Sequence, residues 1–125
     1  MNQDVLQLTI RAFNLRRYDQ AIQHSAAGLD TARGRDEAFW LGLHEACEGY
    51  GLIARGQLDR AEAKLIGAMH TLRNFGFRYE NFEVTVALAA VRRAVEEIRV
   101  VRTGHKRLFD VSLVPQLRLA AKADD

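Results

Sequence analysis

Several features are scarce or missing in this chain of 125 residues. Its one cysteine, Cys47, excludes an intrachain disulfide framework and is typical of a reducing compartment. Its one proline, Pro115, lies near the end, so earlier helices can run uninterrupted. The apolar runs are too short to span a bilayer, and the first residues lack the basic and then apolar order of a signal peptide. We therefore expect a soluble cytoplasmic protein that does not associate with membranes.

Neither sign of charge dominates, since 18 basic and 16 acidic residues leave a formal net charge of +2. Nucleic-acid binding depends on clustered rather than average charge. One basic cluster is present, and a solvated helix end explains it as well, because the helix dipole favours cations there. We therefore do not expect nucleic acid as a partner. The cluster consists of Arg99, Arg102, His105, Lys106 and Arg107.

Apolar residues recur at spacings of three and four, the pattern of amphipathic helices. Five helices are predicted, near residues 3–15, 18–32, 36–54 and 58–74 and from about Asn81, a candidate N-cap, to Gly104. The third helix is apolar on two adjacent faces, which is typical of a central helix in a bundle. The residues expected to face inward on the outer helices are Val5, Leu8, Ala12 and Leu15; Tyr18, Ala21, Ile22, Ser25 and Leu29; Leu58, Ala61, Leu65, Ala68, Met69 and Leu72; and Val84, Leu88, Val91, Val95 and Ile98. The two faces of the third helix are Phe39, Leu43, Ala46, Tyr50 and Ile53, and Trp40, His44, Cys47 and Gly51.

Two stretches forty residues apart resemble each other. Tyr18-Asp19-Gln20-Ala21 opens the second predicted helix after the turn Leu15-Arg16-Arg17, and Leu58-Asp59-Arg60-Ala61 opens the fourth after Arg55-Gly56-Gln57. This repetition predicts paired helix–turn–helix units similar to tetratricopeptide repeats, although those recur about every 34 residues.

The predicted fold is therefore all-α: a five-helix bundle of antiparallel hairpins over residues 1–104, with a C-terminal extension over 105–125. Apolar residues continue after Gly104 but are interrupted by Pro115. Residues 116–122 could form a short further helix, and the terminal Asp124-Asp125 should fray. The extension either packs across its own bundle or reaches a partner.

Between Phe13 and about Ile98 the chain resembles the domain of unknown function 309 family, small all-helical prokaryotic proteins. Phe13-Asn14 with Tyr18 and Ala21 is similar to the opening of that family, a Phe-Asn followed by Tyr-x-x-Ala. The segments Phe39-Trp40-Leu41-Gly42-Leu43 and Arg55-Gly56-Gln57-Leu58-Asp59-Arg60-Ala61 resemble its Phe-Leu-Gln-Gly-Leu and Arg-Gly-Asn-x-x-Gly-Ala segments.

The resemblance also implies a metal-binding His-Glu-x-x-Glu motif directly after Tyr-x-x-Ala, but this chain has Ile22 and Gln23 there. The same letters occur one helix later, at His44-Glu45-Ala46-Cys47-Glu48, but this segment aligns with the Gly-Leu-Ile-Gln helix of the family, so the resemblance does not give it the metal role. Residues four apart share a helix face, so His44 and Glu48 could reach one divalent transition metal, with Glu45 about 100° around the axis. A catalytic zinc needs three protein ligands, and His24 and His70, expected on exposed flanks, are poor candidates for the third. The alternative is a His44 at the core edge with solvated or arginine-paired glutamates.

The remaining candidates are aromatic side chains and the thiol. Tyr18, Trp40, Tyr50 and Phe109 are candidate partner-binding residues, although aromatic residues at helical spacing are usually core. Cys47 lies in the middle of a helix among apolar residues, so we expect an inert buried thiol. The favoured function is a non-catalytic protein-interaction or self-associating module. The alternative is a metal-binding protein or metal-dependent hydrolase that uses His44, Glu45 and Glu48.

Overall fold

The computed structural model describes residues 1–120, and it confirms the all-α class. The five helices are α1 (Gln3–Asn14), α2 (Tyr18–Thr31), α3 (Arg35–Ala54), α4 (Leu58–Leu72) and α5 (Val84–Arg102). Two short strands, β1 (Arg78–Tyr79) and β2 (Phe82–Glu83), form an antiparallel pair between α4 and α5. Short 3-10 helices cover Arg73–Phe75 and Val111–Leu113. Among residues 1–120, none of the helices has the length and apolar character needed to cross a membrane.

The forty-residue repeat is a structural repeat. The turn before α2 and the turn before α4 have matching hydrogen bonds: Arg17 N donates to Ala12 O at 2.9 Å, and Gln57 N donates to Leu52 O at 2.9 Å. The residue in the middle of each turn has a positive φ, 62° at Arg16 and 74° at Gly56. Glycine adopts this conformation without cost, whereas a side chain at φ near +60° is strained. The two α-hairpins are therefore built alike, except that the first carries an arginine at its left-handed position.

The third helix is central, because α2 packs on one side of it and α4 on the other. Both of its predicted apolar faces are confirmed: all of their residues are buried except His44, which is half-buried. Small residues permit the close approach of the neighbouring helices. A Cβ at Gly28 of α2 would come within 2.6 Å of the Trp40 ring, and one at Gly49 of α3 within 2.6 Å of Leu65 Cδ2.

The predicted inward face of α1 is wrong for Leu8 and Leu15, whereas Ala12 is buried and Val5 packs against the core as predicted. Leu8 and Leu15 are 48% and 52% exposed, whereas the core receives Leu6, Ile10 and Phe13. The neighbouring face can be buried because Thr9, its polar member, donates its hydroxyl proton to Val5 O at 2.8 Å. A buried hydroxyl satisfied in this way costs little.

The start of α5 also differs from the prediction, because Asn81 is not its N-cap. Asn81 lies with Glu80, at φ 52°, in the turn between β1 and β2, and α5 begins at Val84. The carbonyl of Phe77 accepts from the first amides of α5, Val84 N at 2.9 Å and Thr85 N at 3.2 Å. This backbone carbonyl therefore does what a capping side chain would do.

The C-terminal extension packs on its own bundle over the residues that are described. Leu117 is buried, its amide donates to Asn14 Oδ1 at 2.8 Å, and its carbonyl accepts from Asn14 Nδ2 at 3.0 Å. Further on, Leu119 forms an antiparallel bridge with Phe82. The predicted helix over residues 116–122 is wrong for residues 116–120, which are not helical. The remainder of that prediction, and the predicted fraying of Asp124 and Asp125, lie outside the described residues.

Candidate functional site

Two of the four predicted partner-binding aromatics lie together with the C-terminal extension. A cavity of about 410 Å³ opens between the α1–α2 turn, the end of α3 and the extension. We call it the Tyr18–Tyr50 groove. It is lined by Arg16, Tyr18, Tyr50, Ile53, Ala54, Val111 and Val114.

Aromatic packing fixes the two tyrosines of the groove. The ring of Phe13 makes edge-to-face contacts with Tyr18 and Tyr50, at centroid distances of 5.7 Å and 5.2 Å. Because Phe13 is fully buried, both tyrosines pack on a rigid part of the core. The positions of their rings are therefore set before any ligand binds.

Arg16 joins the groove to the extension. Its guanidinium donates to Pro115 O at 2.8 Å and Val114 O at 3.1 Å, and it lies 5.8 Å from the centroid of the Phe13 ring. No carboxylate among the described residues forms an ion pair with it. The left-handed turn thus holds an uncompensated positive charge at the wall of the groove.

The hydroxyl group of Tyr50 is the unusual polar atom of this site. It is buried, and within the part of the chain that the structure describes it has no hydrogen-bond partner. Burial raises the pKa of Tyr50 above its usual range, the neighbouring phenol of Tyr18 adds to this, and the cations of Arg16 and Arg93 oppose it. Burial likewise raises the pKa of Tyr18, against the positive charge of Arg16. Both phenols therefore keep their protons and can donate them at neutral pH.

The other two predicted partner-binding residues are placed elsewhere. Trp40 is 1% exposed and lies against Gly28 in the core, so its ring fills the space between α2 and α3. Phe109 is half-buried against the core and does not line the Tyr18–Tyr50 groove. The contribution of Val111 and Val114 was not foreseen from the sequence, because nothing local shows where an extension returns to its bundle.

Two of the three predicted metal ligands lie side by side. His44 Nε2 is 3.3 Å from Glu48 Oε1, and that same oxygen is 3.3 Å from Lys64 Nζ. Glu45 extends toward α4, where a Cβ at Gly67 would overlap its carboxylate oxygen. Within residues 1–120, no three or more His, Cys, Asp or Glu side chains are grouped so that they could hold a metal ion. Half-buried His24 and exposed His70 add no third ligand to this cluster.

The other ring nitrogen of His44 contacts a serine that the sequence reasoning missed. Ser25 Oγ is 2.9 Å from His44 Nδ1, so a hydroxyl, an imidazole and the Glu48 carboxylate stand in series, as they do in nucleophilic catalysis. Ser25 is fully buried, however, and its hydroxyl donates to Ile22 O at 3.0 Å. Because Ser25 is shielded from solvent, a substrate could not approach its oxygen as nucleophilic attack requires. This series is suited to joining α2 to α3.

The thiol and the basic cluster have local explanations. Cys47 is fully buried, and burial raises its pKa to about 12, which opposes formation of a reactive thiolate. In the basic cluster, Arg99 and Arg102 both bind Glu62, while Lys106 binds Glu97 at 3.1 Å. These carboxylates neutralise much of the charge that nucleic acid would meet.

Comparison with known proteins adds nothing to this geometry: no family model, curated protein or solved structure matches the chain. The resemblance to the domain of unknown function 309 family accordingly stays a prediction.

Proposed function

We propose that the protein is a non-catalytic interaction module that binds a peptide segment of a partner in the Tyr18–Tyr50 groove. The observation that carries the proposal is the convergence of two predicted partner-binding tyrosines and the C-terminal extension on one cavity of about 410 Å³. Concave, largely apolar cavities with a few convergent polar groups are the usual form of binding sites.

The side chains around His44 support a non-catalytic role. The two nearby side chains that could act as nucleophiles, Ser25 and Cys47, are each 0% exposed. A substrate could not reach either of them without the separation of α2 from α3. The carboxylate of Glu48 is shared with Lys64, which competes with a metal for the same oxygen. The metal-binding alternative therefore rests on the His44–Glu48 pair alone.

A random peptide library displayed on phage tests the proposal without knowledge of the natural partner. The wild-type protein is the bait, and Ala54→Trp fills the groove, because Ala54 is an exposed residue of its lining. The matched control is Ala63→Trp, an equal change at an exposed alanine of α4 outside the groove. We expect related peptides to be enriched by the wild type and by Ala63→Trp, and to be lost with Ala54→Trp.

Sedimentation equilibrium of the same three proteins examines self-association. A dimer that Ala54→Trp abolishes and Ala63→Trp preserves would identify a second copy of the chain as the occupant. A monomeric wild type that enriches no peptide sensitive to Ala54→Trp would refute the proposed function.

A further inference from the structure

The donors of the Tyr18–Tyr50 groove have no carboxylate opposite them among the described residues, and Arg16 donates only to the neutral carbonyls of Val114 and Pro115. Tyr50 contributes a buried hydroxyl without a partner, and Arg16 contributes a cation without a carboxylate among the described residues. The other lining side chains apart from Tyr18 are aliphatic. An isolated buried hydroxyl costs stability, and an acceptor atom of a ligand in the groove would complete the hydrogen bonding of Tyr50.

The shape of the site favours a chain over a small acid. A second cavity of about 340 Å³ shares Arg16, Tyr18 and Ala54 with the groove and extends it along the start of α2. Arg17 and Arg55 line this second cavity, and its one carboxylate, that of Asp19, is already paired with Arg55 at 3.0 Å. The combined surface carries an excess of positive charge, and two adjoining cavities offer room for more than one residue of a peptide.

We propose that the partner segment recognised by this groove is acidic and aliphatic: a peptide whose glutamate or aspartate side chain accepts from Arg16 and Tyr50, while neighbouring aliphatic side chains pack on Ile53, Val111 and Val114. This inference rests on the proposed function and specifies its ligand. A carboxylate can accept hydrogen bonds from a charged guanidinium and from a phenolic hydroxyl at the same time. Hydrogen bonds that involve a charged group are stronger than those between neutral groups. A second acidic side chain of the same peptide would pair with Arg17, which lines the adjoining cavity.

The probe is a nonapeptide blocked at both ends, Gly-Ser-Leu-Glu-Leu-Glu-Leu-Ser-Gly, and its partner has glutamine in place of each glutamate. Blocking removes the terminal carboxylate, so any preference comes from the side chains. Titration of ¹⁵N-labelled protein measures weak affinities and also shows which amides shift. We expect the glutamate peptide to bind at least about 10-fold more tightly than the glutamine peptide, which corresponds to roughly 1.4 kcal/mol, with shifts at residues 16–20 and 50–55.

Variants separate this recognition from general attraction. Arg16→Gln and Tyr50→Phe should each weaken binding of the glutamate peptide more than binding of the glutamine peptide, because the amide oxygen of glutamine accepts weaker hydrogen bonds than a carboxylate does. The control Arg73→Gln removes the same charge from an exposed arginine after α4 and should change neither. Tyr50→Phe should also raise the melting temperature, because it removes a buried hydroxyl that has no partner. Higher stability combined with weaker binding is a result that a purely structural role would not produce.

Three results would overturn the inference. The two peptides could bind equally, Arg73→Gln could weaken binding as much as Arg16→Gln, or free N-acetylglutamate could compete as well as the nonapeptide does. The last result would indicate a small-acid site. Peptides from the phage selection that depend on the groove but lack acidic residues would refute this inference and leave the proposed function standing.

Discussion

Two glycines of α3 provide a direct test of the packing. Alanine in a helix interior is about 1 kcal/mol more favourable than glycine, so a Gly→Ala change stabilises wherever a methyl group fits. At Gly51 a new Cβ would lie 3.4 Å from Ile22 Cδ1 and Tyr18 Cβ, which are ordinary contacts. Gly51→Ala should therefore increase the free energy of unfolding by up to about 1 kcal/mol.

Gly49→Ala should have the opposite effect, because its Cβ would come within 2.6 Å of Leu65 Cδ2 and 2.7 Å of Leu65 Cγ. Leu65 is fully buried and cannot turn toward solvent. Overpacking of this kind costs about 1–3 kcal/mol. Once the helix-propensity gain is subtracted, Gly49→Ala should lower the stability by up to about 2 kcal/mol.

The assay is thermal and urea unfolding of both variants, followed by circular dichroism. The predicted difference between them, about 2 kcal/mol, should separate their melting temperatures by roughly 8 °C. If both substitutions raise the melting temperature, then the described closeness of α3 to α4 at Gly49 is wrong. If Gly51→Ala is the more damaging, then the described space between α3 and α2 at Gly51 is wrong.

Three further predictions concern the docking of the C-terminal extension, the buried thiol and the metal hypothesis. Leu117→Ala should lower the free energy of unfolding by about 2–3 kcal/mol, because Leu117 is 7% exposed, and an unchanged urea midpoint would show that the extension is not docked. Burial raises the pKa of Cys47 to about 12 from 9.0, so the folded state holds this proton more tightly. The free energy of unfolding should therefore keep its full value below pH 9 and decrease as the pH rises toward 12. Urea unfolding across this pH range should show a smaller decrease in Cys47→Ala. Elemental analysis of protein purified without an affinity tag should find sub-stoichiometric transition metal that His44→Ala does not change, and one full equivalent lost in His44→Ala would restore the metal hypothesis.

The spacing of apolar residues was sufficient to predict the five helices, but it did not show which face of α1 is buried. Leu8 and Leu15 share a face with apolar neighbours and are exposed, whereas the face of Leu6 and Ile10 is buried together with Thr9. The buried face carries the larger side chains, including Phe13, and the hydroxyl of Thr9 bonds to a carbonyl of its own helix. A count of apolar residues does not contain this information.

The groove was predictable in part. Tyr18 and Tyr50 were predicted as partner-binding residues from their type and spacing, but no sequence pattern placed them beside Val114. That location depends on long-range contacts, chiefly the hydrogen bonds that join Arg16 to the carbonyls of Val114 and Pro115. The β1–β2 pair was missed because a strand of two residues is too short to show alternation.

Arg16, in the first turn, links the binding of a peptide in the groove to the docking of the C-terminal extension. One guanidinium serves both the backbone of the extension and the wall of the cavity. Suppose that binding of an acidic peptide shifts the equilibrium between the docked and undocked forms of residues 114–120. Thermodynamic linkage then requires that undocking changes the affinity for the peptide by the same factor. The twin turn at Gly56 has no such side chain, so this coupling belongs to the first hairpin and not to the second.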